Sequence, residues 1–271
     1  MIIDSHTHIF PDKIAERTIE LLKKKGNLPA YSDGTVNGLL SQMQRADVDL
    51  AINLPVLTNP NQFDTVINYA IGINDAFKNQ KTRIISFAGI HPDCEDIDGK
   101  MEFIKRSGFL GVKIHPDYQD RRITYDGYVR ILECAKEYDL IVVTHAGVDA
   151  AYRDREPYCS VDGALELIKK VRHGKLVLAH MGGYDHYEQV CESLCGEDVY
   201  LDTAYVLKDM SESHFRELLK RHGEDRVLFA SDSPWSSIES DVQKIRSFSL
   251  GEETENKIFY KNAAALFGIC R

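Results

Sequence analysis

The chain has no hydrophobic run approaching the roughly 18 residues that a membrane-crossing helix needs. Basic clusters are also missing. The net charge is −9, from 33 basic and 42 acidic residues, and the longest basic run is Lys23-Lys24-Lys25. That excludes a nucleic-acid surface, which needs grouped lysines and arginines. No Cys-x-x-Cys pair occurs among the six cysteines, Cys94, Cys134, Cys159, Cys191, Cys195 and Cys270, and they are expected to stay reduced. Cys191 and Cys195 stand four apart and read as small core residues rather than a soft-metal pair. A phosphate-binding glycine fingerprint is missing after every apolar run, which argues against a nucleotide-binding open sheet. No Pro/Gly/Ser-rich linker, internal repeat or low-complexity tract breaks the chain, so residues 1–271 read as a single domain. The first apolar run starts at Ile2, which leaves no room for a leader peptide, and a cytoplasmic location is expected.

What is present is an ordinary globular composition, 43% hydrophobic and 28% charged. Short apolar runs rich in β-branched residues recur at 2–4, 50–54, 84–88, 111–115, 141–145, 176–180, 199–202 and 227–232, at intervals too long for hairpins. Between them lie stripes with helical spacing: Leu39, Leu40, Met43 and Ala46; Val66, Ala70, Ile73 and Phe77; Val129, Leu132 and Ala135. Asp162 is expected to cap a helix over 163–171, and Ser211 the helix that holds Phe215, Leu218 and Leu219. An extra helix over 11–25 is expected to lie over one mouth of the fold. Strands alternating with helices predict a parallel sheet covered on both faces. The expected fold is α/β, a closed (β/α)8 TIM barrel, for which about 250 residues is usual. An open doubly wound sheet is the alternative.

The polar residues gather at the strand ends. Of ten histidines, His6, His8, His91, His115, His145 and His180 end or directly follow a predicted strand. His173, His186, His214 and His222 fall in helices or at helix ends and read as surface or capping residues. Active sites of such barrels lie at the C-terminal strand ends. His6 and His8, two apart on a strand, project to one face and make half of a tetrahedral metal site. Asp232 ends the last strand, which neighbours the first in a closed barrel, and a buried carboxylate there needs a cation or other partner. His145 faces the same mouth from across it. The set His6, His8, His145 and Asp232 offers three imidazole nitrogens and one carboxylate oxygen. Zn²⁺ suits such donors best, with Mn²⁺, Fe²⁺ and Co²⁺ as alternatives.

These pieces resemble the amidohydrolase superfamily, most closely its amidohydrolase 2 branch of metal-dependent barrels. The matching stretches are Asp4-Ser5-His6-Thr7-His8, Gly111-Val112-Lys113-Ile114-His115-Pro116, Thr144-His145-Ala146-Gly147, Ala179-His180-Met181-Gly182-Gly183 and Ser231-Asp232-Ser233-Pro234. They occur in the family's order and span the chain from end to end. The branch includes hydrolases, nonoxidative decarboxylases related to aminocarboxymuconate semialdehyde decarboxylase, and some hydratases. The resemblance implies metal ligation by His6, His8, His145 and Asp232, with His180 catalytic beside the metal. Two-metal relatives use a carboxylated strand-four lysine as a bridge. Lys113 stands at that position, so a binuclear site stays open while one metal is favoured.

The leading expectation is a metal-dependent hydrolase that acts on a small C–O or C–N linked substrate through a metal-activated water. Asp232 would take the water's proton, and His180 would hydrogen-bond the developing oxyanion. Lys113, His115, His91, Asn53, Tyr152 and Arg153, with Arg155 on the same loop, are candidates to bind an anionic substrate. Asp202, Tyr205 and Trp235 would shape the pocket. A nonoxidative decarboxylase is the alternative: the same ligands would chelate a carboxylated substrate through the metal, and His180 or Asp232 would protonate the carbon that loses CO₂. Chain length favours the hydrolase, because decarboxylases of the branch are usually longer. A metal-binding barrel without chemistry is the third reading, weakened because neither His180 nor Asp232 is replaced. A homodimer would be usual for a soluble enzyme.

Overall fold

The computed structural model describes residues 1–269, so Cys270 lies outside the described residues. Its centre is built from strands β1 (Ile3–Thr7), β2 (Leu50–Asn53), β3 (Arg83–Ser86), β4 (Ala88–Gly89), β5 (Gly111–Ile114), β6 (Ile141–Thr144), β7 (Leu176–Leu178), β8 (Tyr200–Asp202) and β9 (Val227–Leu228). Every pairing between these strands is parallel. This is the α/β TIM-barrel arrangement that the alternating pattern predicts.

The ring of ladders is not continuous. It forms a three-stranded sheet, β1-β2-β3, and a six-stranded sheet, β4 to β9. One seam is at Phe87, which splits the predicted run 84–88: β3 pairs back to β2, whereas β4 pairs forward to β5. The other seam lies between β9 and β1. Here the buried Asp4 carboxylate accepts the Ser231 amide at 3.0 Å and its hydroxyl at 2.6 Å, side-chain bonds that stand in for a regular ladder. Ser5 N still donates to Phe229 O and Asp232 N to His6 O, both at 2.9 Å. The last strand therefore does lie beside the first, as the site requires.

Inward side chains alternate along each strand. Ile3, Leu50, Ile52, Phe87, Ile141, Val143, Val177 and Leu228 fill the lower interior, and the helix Asn262–Phe267 packs against them. Two residues beyond Val143 the same face carries His145, and along β5 it carries Lys113 and then His115. The apolar interior thus gives way to a polar mouth.

The helices follow the predicted stripes. Val36–Ala46 buries Leu39, Met43 and Ala46 and is capped by Thr35, and Ser211 caps Glu212–His222 as expected. The cap of Val161–Val171 is Ser160 and not Asp162, which falls inside the first turn. His173 and His222 are buried, bonding the carbonyls of Leu140 and Val199. The extra helix, Asp12–Gly26, reaches the mouth through Lys25, whose Nζ donates to Tyr152 at 2.6 Å. Among the described residues no helix is long and apolar enough to cross a membrane.

Candidate active site

His6, His8 and Asp232 converge at the mouth. His6 Nε2 lies 3.2 Å from His8 Nε2, and Asp232 Oδ1 is 3.5 Å from the first and 3.2 Å from the second. The tautomers follow from the other ring nitrogens. His8 Nδ1 is 2.8 Å from the Leu54 carbonyl, which only accepts, so Nδ1 carries the proton. His6 Nδ1 meets Asp202 Oδ2 at 2.9 Å and donates likewise. Both imidazoles therefore aim Nε2 lone pairs at each other and at a carboxylate oxygen. Three acceptors in such proximity repel unless a cation sits among them, so this donor set fits a divalent metal.

The electrostatics agree. Burial holds His6 well below the usual imidazole range, helped by the neighbouring Lys113 charge. Burial alone would raise Asp232, but its imidazole neighbours, His8 first and then His6, leave it below the usual carboxylate value. Neutral imidazoles and an ionised carboxylate are the forms that ligate. Asp232 and His180 both adopt left-handed backbone, φ +68° and +58°. Non-glycine residues occupy that region at a cost, and such strain collects at functional sites.

Lys113 and His180 stand beside this trio. The fully buried Lys113 places Nζ 3.1 Å from His6 Nε2, and burial brings its ammonium down to about 8. His180 Nδ1 donates to the Ala204 carbonyl at 2.8 Å, which turns its Nε2 toward His145 Nδ1 at 2.9 Å. With His145 Nδ1 the donor in that bond, His145 Nε2 is left as a buried lone pair, and it has no hydrogen-bond partner among the described residues.

His145 also stacks on His115, with ring centroids 4.3 Å apart, and these two with Asp149 form a second cluster of potential donors. His115 Nδ1 accepts the Tyr118 amide, so its Nε2 proton points at Asp149 Oδ2, 3.5 Å away. A nitrogen that carries a proton is no ligand. His115 and Asp149 therefore face the mouth as a donor–acceptor pair, with the Asp149 carboxyl raised to about 6 by burial.

The other expected substrate contacts divide. Asn53 is fully buried, with Oδ1 accepting from the Ile9 amide and Nδ2 donating to Ser86 Oγ, so it fastens the loop after β1. His91 accepts the Asp93 amide, and no hydrogen bond or ion pair joins it to the cluster among the described residues. Tyr152 stands at the rim, edge-on to Tyr118, which in turn meets His115. Arg153 is exposed beside Tyr184. Arg155 is held over Tyr158 and by Asp117. Sequence reasoning underrated Asp202 and passed over Asp149; the only sign of either was an acidic residue at or just past a strand end.

The family model described as Amidohydrolase (Amidohydro_2) matches residues 3–269. The chain belongs to this amidohydrolase family. Among curated proteins none matches this amidohydrolase in sequence. Solved structures match it in shape. The 2,6-dihydroxybenzoate decarboxylase of Rhizobium is 16% identical with a TM-score of 0.74, over 99% of this chain and 98% of its own. The 5-carboxyvanillate decarboxylase of Novosphingobium aromaticivorans, complexed with manganese and 4-hydroxy-3-methoxy-5-nitrobenzoic acid, is 16% identical with a TM-score of 0.73, over 99% and 96%. The dihydroxybenzoic acid decarboxylase of a Polaromonas species, with bound manganese and 2-nitroresorcinol, is 16% identical with a TM-score of 0.73, over 100% and 97%.

These relatives in shape overturn hydrolysis as the leading expectation for the amidohydrolase. The enzymes they name are decarboxylases, and the same donor set serves either reaction, so the ligand motif never favoured hydrolysis. Nor does length, because the chain matches 96% or more of each of these decarboxylases.

Proposed function

We propose that this amidohydrolase is a metal-dependent nonoxidative decarboxylase of a small anionic carboxylic acid. The observation that carries the proposal is the meeting of three lone-pair donors, His6, His8 and Asp232, beside a buried Lys113 ammonium, in an architecture shared with named decarboxylases. We assign the metal to these three residues and, from the neighbouring cluster it forms with His115 and Asp149, to the unpartnered His145 Nε2. Manganese, which two of the similar structures hold, and zinc both suit imidazole and carboxylate donors. When bound, the ion supplies positive charge that chelates the substrate carboxylate and favours the carbanionic charge left as CO₂ departs.

The protein's own groups do the rest. Lys113 adds a cation, shielded from water, on the side of His6 where negative charge gathers. His180 has its Nδ1 committed to Ala204, so Nε2, which accepts from His145 Nδ1, is the atom that must first take up a proton before passing it to the carbon losing CO₂. Asp202 fixes both ends of the arrangement, holding the His6 ring and the His180 backbone amide. His115 and Asp149 offer a donor and an acceptor to a second polar group of the substrate.

The test is a panel of hydroxy-substituted aromatic and unsaturated acids offered to manganese-loaded enzyme. One CO₂ per acid consumed, with the remainder of the molecule intact, is the expected outcome. Cleavage of esters, lactones or amides with no CO₂ release would overturn it.

A further inference from the structure

A cavity of about 190 Å³ lies apart from the histidine cluster, bordered by Tyr31, Lys208, Trp235, Ser236, Asp241 and Lys244. None of His6, His8, His145, His180 or Asp232 lines it. Its floor carries a feature that a solvent cleft does not need. Asp241 is only 3% exposed; Ser236 hydrogen-bonds its carboxyl, while its Oδ2 is buried with no hydrogen-bond partner among the described residues. Buried polar atoms are nearly always paired, so an orphan carboxyl oxygen marks a place where a partner belongs.

The surroundings indicate what that partner is. Two ammonium groups stand at the rim. Lys208 lies over the Tyr205 ring at 3.6 Å and has an exposed contact to Asp209 at 3.8 Å, and Lys244 makes no ion pair among the described residues, lying over the Phe248 ring instead. Asp241 is the single acid lining the cavity, so positive charge prevails there. Burial pushes the Asp241 carboxyl up to about 8, which makes it a hydroxyl donor near neutral pH. Trp235 and Tyr31 add flat aromatic surface. The volume equals roughly six waters of the liquid, enough for a small organic acid.

We propose that this cavity is a second binding site, for a small carboxylate bearing a hydroxyl group, with the carboxylate between Lys208 and Lys244 and the hydroxyl on Asp241 and Ser236. The site does not depend on the decarboxylase reading, because it uses none of that reading's residues. It adjoins the metal site through Trp235, whose amide donates to the Asp232 carbonyl at 2.8 Å.

Trp235 is the chain's one tryptophan, so its fluorescence reports this cavity directly. The experiment titrates 4-hydroxybenzoate and benzoate into the full-length protein and into His8→Ala, Lys244→Ala and Asp241→Ala. Saturable quenching of Trp235 that persists in His8→Ala is expected, with affinity about tenfold weaker in Lys244→Ala, as for loss of one charged hydrogen bond. Asp241→Ala is expected to remove the preference for 4-hydroxybenzoate over benzoate. Lys244 is only partly buried, unlike Asp241, so its variant keeps the test valid should Asp241→Ala not fold. Absence of quenching, loss of binding in His8→Ala, or unchanged affinity in Lys244→Ala would overturn the proposal.

Discussion

Asp202 is fully buried and both its oxygens serve the site: Oδ2 meets His6 Nδ1, and Oδ1 accepts the amides of His180 and Ala204 at 2.9 and 3.1 Å. Carboxylates that orient a ligating imidazole set both its tautomer and its basicity. Asp202→Asn should therefore weaken metal affinity by about 10–100-fold with the fold intact, read by competition against a metallochromic chelator. Unchanged affinity would mean that His6 is oriented by something else. Asp241 gives a second residue-level expectation. Its carboxyl is raised from 3.8 to about 8 by burial, so the folded state binds its proton more tightly than the unfolded chain. The resulting cost of ionisation is absent below about pH 4, grows as pH rises, and is complete above about pH 8. Asp241→Asn cannot ionise, so it should gain on wild type in melting temperature from about pH 5 to about pH 9. A difference that stays flat with pH would contradict the assignment. His6, His8, His145 and Asp232 were legible as candidates because each sits at the end of an apolar run. The burial of Asn53, the stacking of His115 on His145 and the service of Asp202 to His6 were not, since each depends on contacts between distant segments.

Among the elements, the turn after β6 shows how backbone packing shapes the mouth. Gly147 has φ +83°, and a Cβ there would sit 2.1 Å from Tyr184 N and 2.5 Å from Tyr184 O. Glycine permits both the left-handed backbone and the bridge to Tyr184, which carries the loop after His180. Gly147→Ala should destabilise the protein by about 2–4 kcal/mol, the sum of overpacking and backbone strain, seen as a lower denaturant midpoint. A shift within ~0.5 kcal/mol would show that the two loops part freely. Periodicity made the helices and strands readable, because an apolar face repeats whatever it packs against. It gave less at the ends. Ser160 in place of Asp162 as a helix cap, and the change of pairing partner at Phe87, are set by backbone geometry that neighbouring side chains decide.

For the whole molecule, alternating apolar runs and helical stripes were enough to predict a TIM barrel. The broken seam beside Asp4 was not predictable, since it depends on Ser231 reaching a buried carboxylate. The reaction was beyond the motif as well, because a metal held by histidines and an aspartate supports hydrolysis and decarboxylation alike. The account rests on three acceptor atoms, within 3.5 Å of one another, sharing one cation. Metal content per chain, measured on purified protein reconstituted with manganese or zinc, tests this most directly. About one ion per wild-type chain, and close to none in His8→Ala, is the prediction. A ratio near two with extra mass on Lys113, or a full complement retained by His8→Ala, would contradict it.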